Sequence, residues 1–138
     1  MHYHEHHLKI AKQLGNIAGE KHAYRGLGNA YHRLGDFETA IDYYQRSLKI
    51  AEEEEDKRGI EVALGDLGRA YLNLGDAKKA KGYHECQLRI AGLVGDRIGV
   101  AKAHFFLGCS LELLGSLERS CDCYQSSVKV LKIGRAHV

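Results

Sequence analysis

Proline is absent from all 138 residues, and no stretch marks a flexible linker. The chain therefore reads as continuous folded structure, with no stiff polyproline spacer and no loose tether. No run approaches the roughly 20 apolar residues that cross a bilayer. The opening, Met1-His2-Tyr3-His4-Glu5-His6-His7, lacks the apolar stretch of a secretory signal. These absences predict no membrane insertion and a cytoplasmic protein. Charge of one sign is also scarce: a net charge of +2 supplies no basic footprint for nucleic acid. Cysteine is confined to Cys86, Cys109, Cys121 and Cys123. Without a secretion signal, a disulfide framework is not expected. Cys121-Asp122-Cys123 is too tight a pair for a zinc knuckle, and no second pair completes a tetrahedral site. Four free thiols are expected, with no cofactor and no metal.

What is present is an ordinary folded balance, 44% hydrophobic and 28% charged, arranged with a strict period. Leu27-Gly28-Asn29-Ala30-Tyr31-His32-Arg33-Leu34-Gly35-Asp36 returns 40 residues later as Leu67-Gly68-Arg69-Ala70-Tyr71-Leu72-Asn73-Leu74-Gly75-Asp76. It returns again, degraded, as Leu107-Gly108-Cys109-Ser110-Leu111-Glu112-Leu113-Leu114-Gly115-Ser116. Tyr3, Tyr43 and Tyr83 keep the same step, as do Ala11, Ala51 and Ala91, and Gly19, Gly59 and Gly99. Each unit reads as two helices, A and B. Gly35-Asp36 joins a helix stop to a helix start: glycine takes the left-handed conformation without a Cβ penalty, and the carboxylate caps the next helix. Gly75-Asp76 and Gly115-Ser116 repeat that chemistry. Asn16, Asp56 and Asp96 cap the helix that opens each unit. Helix A of the first full unit is expected over 17–34 and helix B over 37–54.

Apolar spacing agrees with helix. Ala23, Leu27, Ala30, Tyr31 and Leu34 form one stripe of helix A; Ala40, Ile41, Tyr44, Leu48 and Ala51 form one of helix B. Glycine inside a helix costs about 1 kcal/mol against alanine, so the return of Gly28 as Gly68 and Gly108 predicts close approach of the partner helix. One hairpin cannot bury its stripe on both sides; stacked hairpins can.

Leu-Gly-x-x-Tyr in helix A, followed in helix B by Ala40 and then Tyr44, resembles the tetratricopeptide repeat family. The 40-residue step, the Leu-Gly-Asp hinge and the ending Leu48-Lys49-Ile50-Ala51 are most similar to its long-repeat subclass, which includes the LGN/Pins-type G-protein-signalling modulators and related large animal arrays. The resemblance implies an all-α helical-hairpin solenoid, a right-handed superhelix of about three and a half repeats. Residues 1–15 read as helix B of a partial repeat, and 16–55, 56–95 and 96–132 as repeats, with the array truncated at both ends. Leu111 and Ser120 depart from the pattern in the last unit. The tail 133–138 breaks the register and equals the translation of a common sequencing-library adapter, so it is read as non-native.

Chemistry is sparse. His2/His6 and His4/His7 have ligand-like helical spacing, but His4 and His7 align with Tyr44 and Ser47 and read as ordinary repeat positions. No Ser/His/Asp or Cys/His arrangement and no glycine-rich phosphate loop stands out, so no catalytic residue is assigned and no enzyme is expected. The acidic run 52–55 reads as a solvated face.

The resemblance implies a concave groove lined by A helices that holds a partner peptide. Carried over by position, the first full unit presents His22, Arg25, Asn29, His32 and Arg33. The second presents Val62, Gly65, Arg69, Leu72 and Asn73, and the third Lys102, Phe105, Cys109, Glu112 and Leu113. The candidate groove residues are His22, Arg25, Asn29, Arg33, Arg69, Asn73, Lys102 and Phe105. Their donors suit an acidic peptide with an apolar anchor, which makes the protein an interaction scaffold or adaptor. The other reading is a structural spacer, or a segment that self-associates through exposed repeat ends.

Overall fold

Glycine and a capping side chain punctuate the chain at nearly constant intervals, and the folded protein follows that punctuation. The computed structural model describes residues 2–136, with side chains as far as Ile133. The helices are α1 (His2–Gln13), α2 (Ile17–Arg33), α3 (Phe37–Glu53), α4 (Lys57–Leu74), α5 (Ala77–Val94), α6 (Arg97–Leu113) and α7 (Leu117–Ala136). Among the described residues there is no strand, and no helix is long and apolar enough to cross a membrane. Helices α2/α3, α4/α5 and α6/α7 form hairpins, α1 packs on α2, and each hairpin stacks on the next. This is the all-α helical-hairpin solenoid that the repeat predicts.

The asparagine and aspartate caps form as the sequence implies. Gly19, Gly59 and Gly99 N–H groups donate to Asn16, Asp56 and Asp96 Oδ1 at 2.9, 3.0 and 3.0 Å. Thr39 and Lys79 N–H groups do the same to Asp36 and Asp76 at 3.2 and 3.1 Å. The recurrence of glycine at 19, 59 and 99 now has a cause. A Cβ on Gly19 would stand 2.9 Å from Asn16 Nδ2, and one on Gly99 would stand 2.7 Å from Asp96 Oδ2. Five of the six hinges between helices hold glycine at positive φ, from +66° to +94°; the sixth holds Glu55 at +55°. Helices α2 and α3 each stop one residue before the expected end, because Leu34 and Glu54 are their C-caps.

The core lies between the A and B helices. Leu67, Ala40, Ala70 and Tyr44 are buried together with Ile41, and Leu48, Tyr31, Tyr71 and Tyr83 pack on them. The expected close approach at Gly28 is real: a Cβ there would meet Tyr44 Cε1 at 2.5 Å. His84 and Tyr124 occupy the same place over Gly68 and Gly108. One core assignment is corrected. Leu34, placed on the apolar stripe, is 65% exposed, because it caps α2 where the chain turns into Gly35 and its partner helix has yet to begin. In the last unit, Ser120 Oγ donates to the Gly108 carbonyl at 2.9 Å, and Leu111 is buried where Tyr31 and Tyr71 stack on Tyr43 and Tyr83 in the units before. Helix α7 continues to Ala136, into the stretch read as a non-native tail; Met1, His137 and Val138 lie outside the described residues.

Candidate groove on the A-helix face

Helical spacing of four puts Arg25, Asn29 and Arg33 on one face of α2. With His32, and with Tyr44 of α3 and Asp66 and Arg69 of α4, they line a cavity of about 330 Å³. Three arginines face one aspartate, so the cavity has net positive character. Arg25 Nε donates to Asp66 Oδ2 at 2.8 Å; the aspartate is nearly buried and the arginine side chain is 46% exposed. That bond, with Asp66's charge behind it, holds the Arg25 guanidinium above its ordinary pKa against the cost of burial. The other guanidinium N–H groups remain available to a ligand.

The neighbouring groups are fixed by bonds that the sequence did not announce. Tyr44 OH donates to Asn29 Oδ1 at 2.6 Å. Burial, and then the Asp66 charge, push the Tyr44 phenol well above its ordinary range, so it stays a donor. Asn29 therefore spends its carbonyl within the fold and keeps its NH₂ for other partners. Asn73 Nδ2 lies 2.9 Å from His32 Nε2. Burial, then the nearby Arg69, lower the His32 pKa, so the ring is neutral and accepts from the amide. The Arg69 guanidinium sits over the Phe106 ring, 5.4 Å from its centroid, which orients it by a cation–π contact with the next repeat.

A second cavity, about 360 Å³, continues along the A helices; it shares Arg25, Asp66 and Arg69 and adds Val62, Lys102 and Phe106. A third, about 260 Å³, is lined by His22 and Arg25 with Lys21, Asp56 and Val62. The structure thus gathers Arg25, Asn29, Arg33 and Arg69 around one cavity, places Lys102 around the second and His22 around the third. Asn73 reaches the first group through His32. Phe105 lines none of the three: it is 46% exposed, edge-on to Phe106 at 5.2 Å and 5.6 Å from Tyr124. Sequence reasoning missed Tyr44, Asp66 and Phe106. The missed signal lay in comparing residue 26 with its 40-residue counterparts: Gly26, Asp66 and Phe106 differ in chemistry and face the preceding B helix.

Elsewhere the chemistry is structural. His4 takes the place of Tyr44 in α1, with its ring against Gly26. Among the described residues no group of three or more His, Cys, Asp or Glu side chains is placed to hold a metal ion. Cys86, Cys109, Cys121 and Cys123 are unpaired, and burial raises the Cys123 thiol pKa, which disfavours the reactive thiolate. The acidic run 52–55 is only partly a solvated face. Glu54 Oε1 accepts from Lys21 Nζ at 2.9 Å, and Glu55 serves as a hinge.

Comparison with known proteins agrees with this architecture. The tetratricopeptide repeat family model matches residues 2–53. No curated protein sequence gives a significant match. Among solved structures, the chain is similar to the TPR domain of Arabidopsis FLU, with a TM-score of 0.80 at 21% identity, over 85% of this chain and 98% of that one. It is similar to BtubC (BKLC) from P. vanneervenii, with a TM-score of 0.89 at 19% identity, over 97% of this chain and 56% of that one. It is also similar to the TPR2AB domain of yeast Sti1, solved as a pHSP90 complex, with a TM-score of 0.70 at 19% identity, over 82% of this chain and 42% of that one. Residues 2–53 are therefore tetratricopeptide repeat sequence, and the described chain has the tetratricopeptide helical-hairpin solenoid fold.

Proposed function

We propose that the protein is an interaction scaffold or adaptor whose A-helix groove holds a partner peptide, an acidic segment with an apolar anchor. The observation that carries this reading is the convergence of Arg25, Arg33 and Arg69 on one cavity with Asp66 as the single carboxylate in its lining. Val62 and Phe106, in the adjoining cavity, supply apolar surface for the anchor. The similar TPR2AB domain of yeast Sti1 was solved as a pHSP90 complex, which supports binding as the use of this architecture. No catalytic step is assigned, and the cytoplasm is the proposed compartment; a fluorescent fusion imaged in cells checks that placement.

The decisive test is capture of partners from source-organism lysate by the wild type and by a variant carrying Arg33→Ala and Arg69→Ala. Arg25 is left in place because its removal would strand the buried Asp66. A partner kept by the wild type and lost by the folded variant supports the groove. Equal capture by both removes it.

The second reading, self-association, rests on Val128, which is half exposed although its counterparts Leu48 and Leu88 are partly covered. Sedimentation velocity at rising concentration tests it: association abolished by Val128→Lys with Leu131→Lys supports an end-face contact. A concentration-independent monomer rules it out.

The unbroken 40-residue step further supports membership of the long-repeat subclass similar to LGN/Pins-type modulators, and the adapter-identical translation of 133–138 supports a non-native origin for that stretch. Genomic sequence across residue 132 tests both. Further 40-residue units in place of the tail support them, and exonic sequence encoding the tail overturns its non-native origin.

A further inference from the structure

Three positions of the repeat 56–95 depart from the pattern set by its neighbours, and their side chains meet in the interior. Where the flanking units have Lys21 and Ala101, this one has Glu61; where they have Tyr44 and Tyr124, it has His84; where they have Ser47 and Ser127, it has Gln87. In the first full unit, Lys21 Nζ reaches forward to the next unit's cap, 2.8 Å from Asp56 Oδ2. Ser47 and Ser127 hydroxyls donate to the carbonyls of Lys21 and Ala101 at 3.2 and 2.8 Å. The middle unit replaces all of this. Glu61 turns its carboxyl to Asp96, the cap of α6, and Gln87 lies close enough to favour its charge. Gln87 Oε1 lies 2.9 Å from His84 Nδ1, which donates to it.

The chain Asp96–Glu61–Gln87–His84 is deeply placed: Glu61 is 3% exposed. Both carboxyls crowd one glycine. A Cβ on Gly99 would collide with Glu61 Oε1 and stand 2.7 Å from Asp96 Oδ2. Glu61 Oε2 is buried with no hydrogen-bond partner. The joint that Lys21 and Asp56 close with opposite charges is here built from two acids.

We propose that the Glu61–Asp96 carboxyl pair is a proton-operated joint between the repeats 56–95 and 96–132. It is closed when the two acids share one proton and loosened when both are ionised.

Two carboxylates in a low-dielectric interior repel, and the pair is relieved when one holds a proton and donates it to the other. Asp96 is the ionised partner, because the Gly99 N–H at 3.0 Å rewards its charge and serves the helix cap. That bond holds Asp96 below its ordinary pKa. Burial first, then Asp96, push Glu61 up to about 7. The surrounding charges do not cancel the effect. Arg58 of α4 pulls Glu61 down, but only after burial and Asp96 have acted, and Lys102 of α6 favours the Asp96 charge. Arg25 of α2, with Asp66 and Arg69 of α4, lies around the same cavity, and α3 contributes none of the groups that act on Glu61. From α5, burial keeps His84 neutral.

The sign follows from a folded-state pKa above the unfolded value. The stabilising contribution of Glu61 is complete below about pH 4.5 and is lost as pH rises through about 7. His84, lowered by burial, works oppositely on the acid side, so the comparison must cancel it. Glu61→Gln does so, since it keeps His84 and removes only the titrating carboxyl.

The experiment is urea unfolding of the full chain from pH 5 to 8, for wild type, Glu61→Gln and Glu61→Lys. Across that window the wild-type unfolding equilibrium constant should rise on the order of seventyfold more than that of Glu61→Gln. Glu61→Lys, which copies the Lys21–Asp56 pair, should hold its stability through pH 8. In wild type, ¹³C-carboxyl NMR should show a glutamate titrating near pH 7 that is missing from Glu61→Gln. Parallel stability profiles, or a Glu61 midpoint below pH 5, would overturn the joint. If Glu61→Gln does not fold, the wild-type titration decides alone, with the resonance assigned through Gln87→Ser.

Discussion

Arg25 Nε and Asp66 Oδ2 stand 2.8 Å apart across the seam between successive A helices. The groove thus neutralises part of its own positive charge from within its wall. Asp66→Asn keeps the shape and frees the Arg25 charge for a ligand. We predict that a fluorescein-labelled peptide of alternating glutamate and leucine binds this variant about three- to tenfold more tightly at low salt, with steeper salt dependence. Fluorescence anisotropy reads the change; unchanged or weaker binding counts against an acid-binding cavity.

The space over Gly28 is already filled. Tyr44 is buried, its hydroxyl is tied to Asn29, and a Cβ would stand 2.5 Å from its Cε1. Gly28→Ala should therefore lose about 1–2 kcal/mol, because overpacking outweighs alanine's better helix propensity. Gly82, exposed in α5 with nothing within 4 Å of a Cβ, is the contrast. Gly82→Ala should gain about 0.5–1 kcal/mol. Urea titrations of both variants test the pair, and equal signs would refute the close-approach account.

Glu55 bears a left-handed φ of +55° where Gly15 and Gly95 occupy the equivalent hinge. A side chain there costs about 1–2 kcal/mol, partly offset by the larger unfolded-state entropy of glycine. Glu55→Gly should raise stability by about 0.5–1 kcal/mol, and Gly35→Ala, at φ +85°, should lower it by about 1 kcal/mol. Thermal melts showing Glu55→Gly to be the less stable form would contradict the hinge reading.

Lys21 bridges Glu54 and Asp56 at 2.9 and 2.8 Å. Its hydrogen bond holds the Asp56 pKa below the ordinary carboxylate value, and the lysine's own pKa rises, first through the bond to Asp56. The contribution is present between the unfolded carboxylate and lysine ranges and disappears as pH falls through the folded Asp56 value. Lys21→Met should cost no more than about 1 kcal/mol at pH 7, since both acids face water in part. The difference from wild type should vanish near pH 2. Unfolding curves at the two pH values decide it, and a difference that persists in acid would mean packing rather than charge.

The capping and hinge chemistry was legible because it acts within four residues. Asn16 and Gly19, or Gly35 and Asp36, are neighbours in sequence, so their bonds are written in the local pattern. The approach at Gly28 was legible through repetition, since a costly glycine returning at Gly68 and Gly108 demands a cause. Leu34 misled because periodicity alone does not register where the partner helix ends. In the groove, Arg25, Asn29, Arg33 and Arg69 fell together as the repeat register implied. Tyr44 was placed only on the core stripe and Asp66 was given no role, because their groove partners lie on other helices.

The sequence by itself determined the helices, their hinges, the 40-residue unit and the hairpin solenoid, since each follows from backbone conformation and short-range hydrogen bonds. Only the tertiary structure decided that Arg25 meets Asp66, that Arg69 lies over Phe106 and that Glu61 faces Asp96. Those pairings depend on the rotation between successive hairpins. That rotation is set by the summed packing of many side chains at each seam, and no local pattern encodes it.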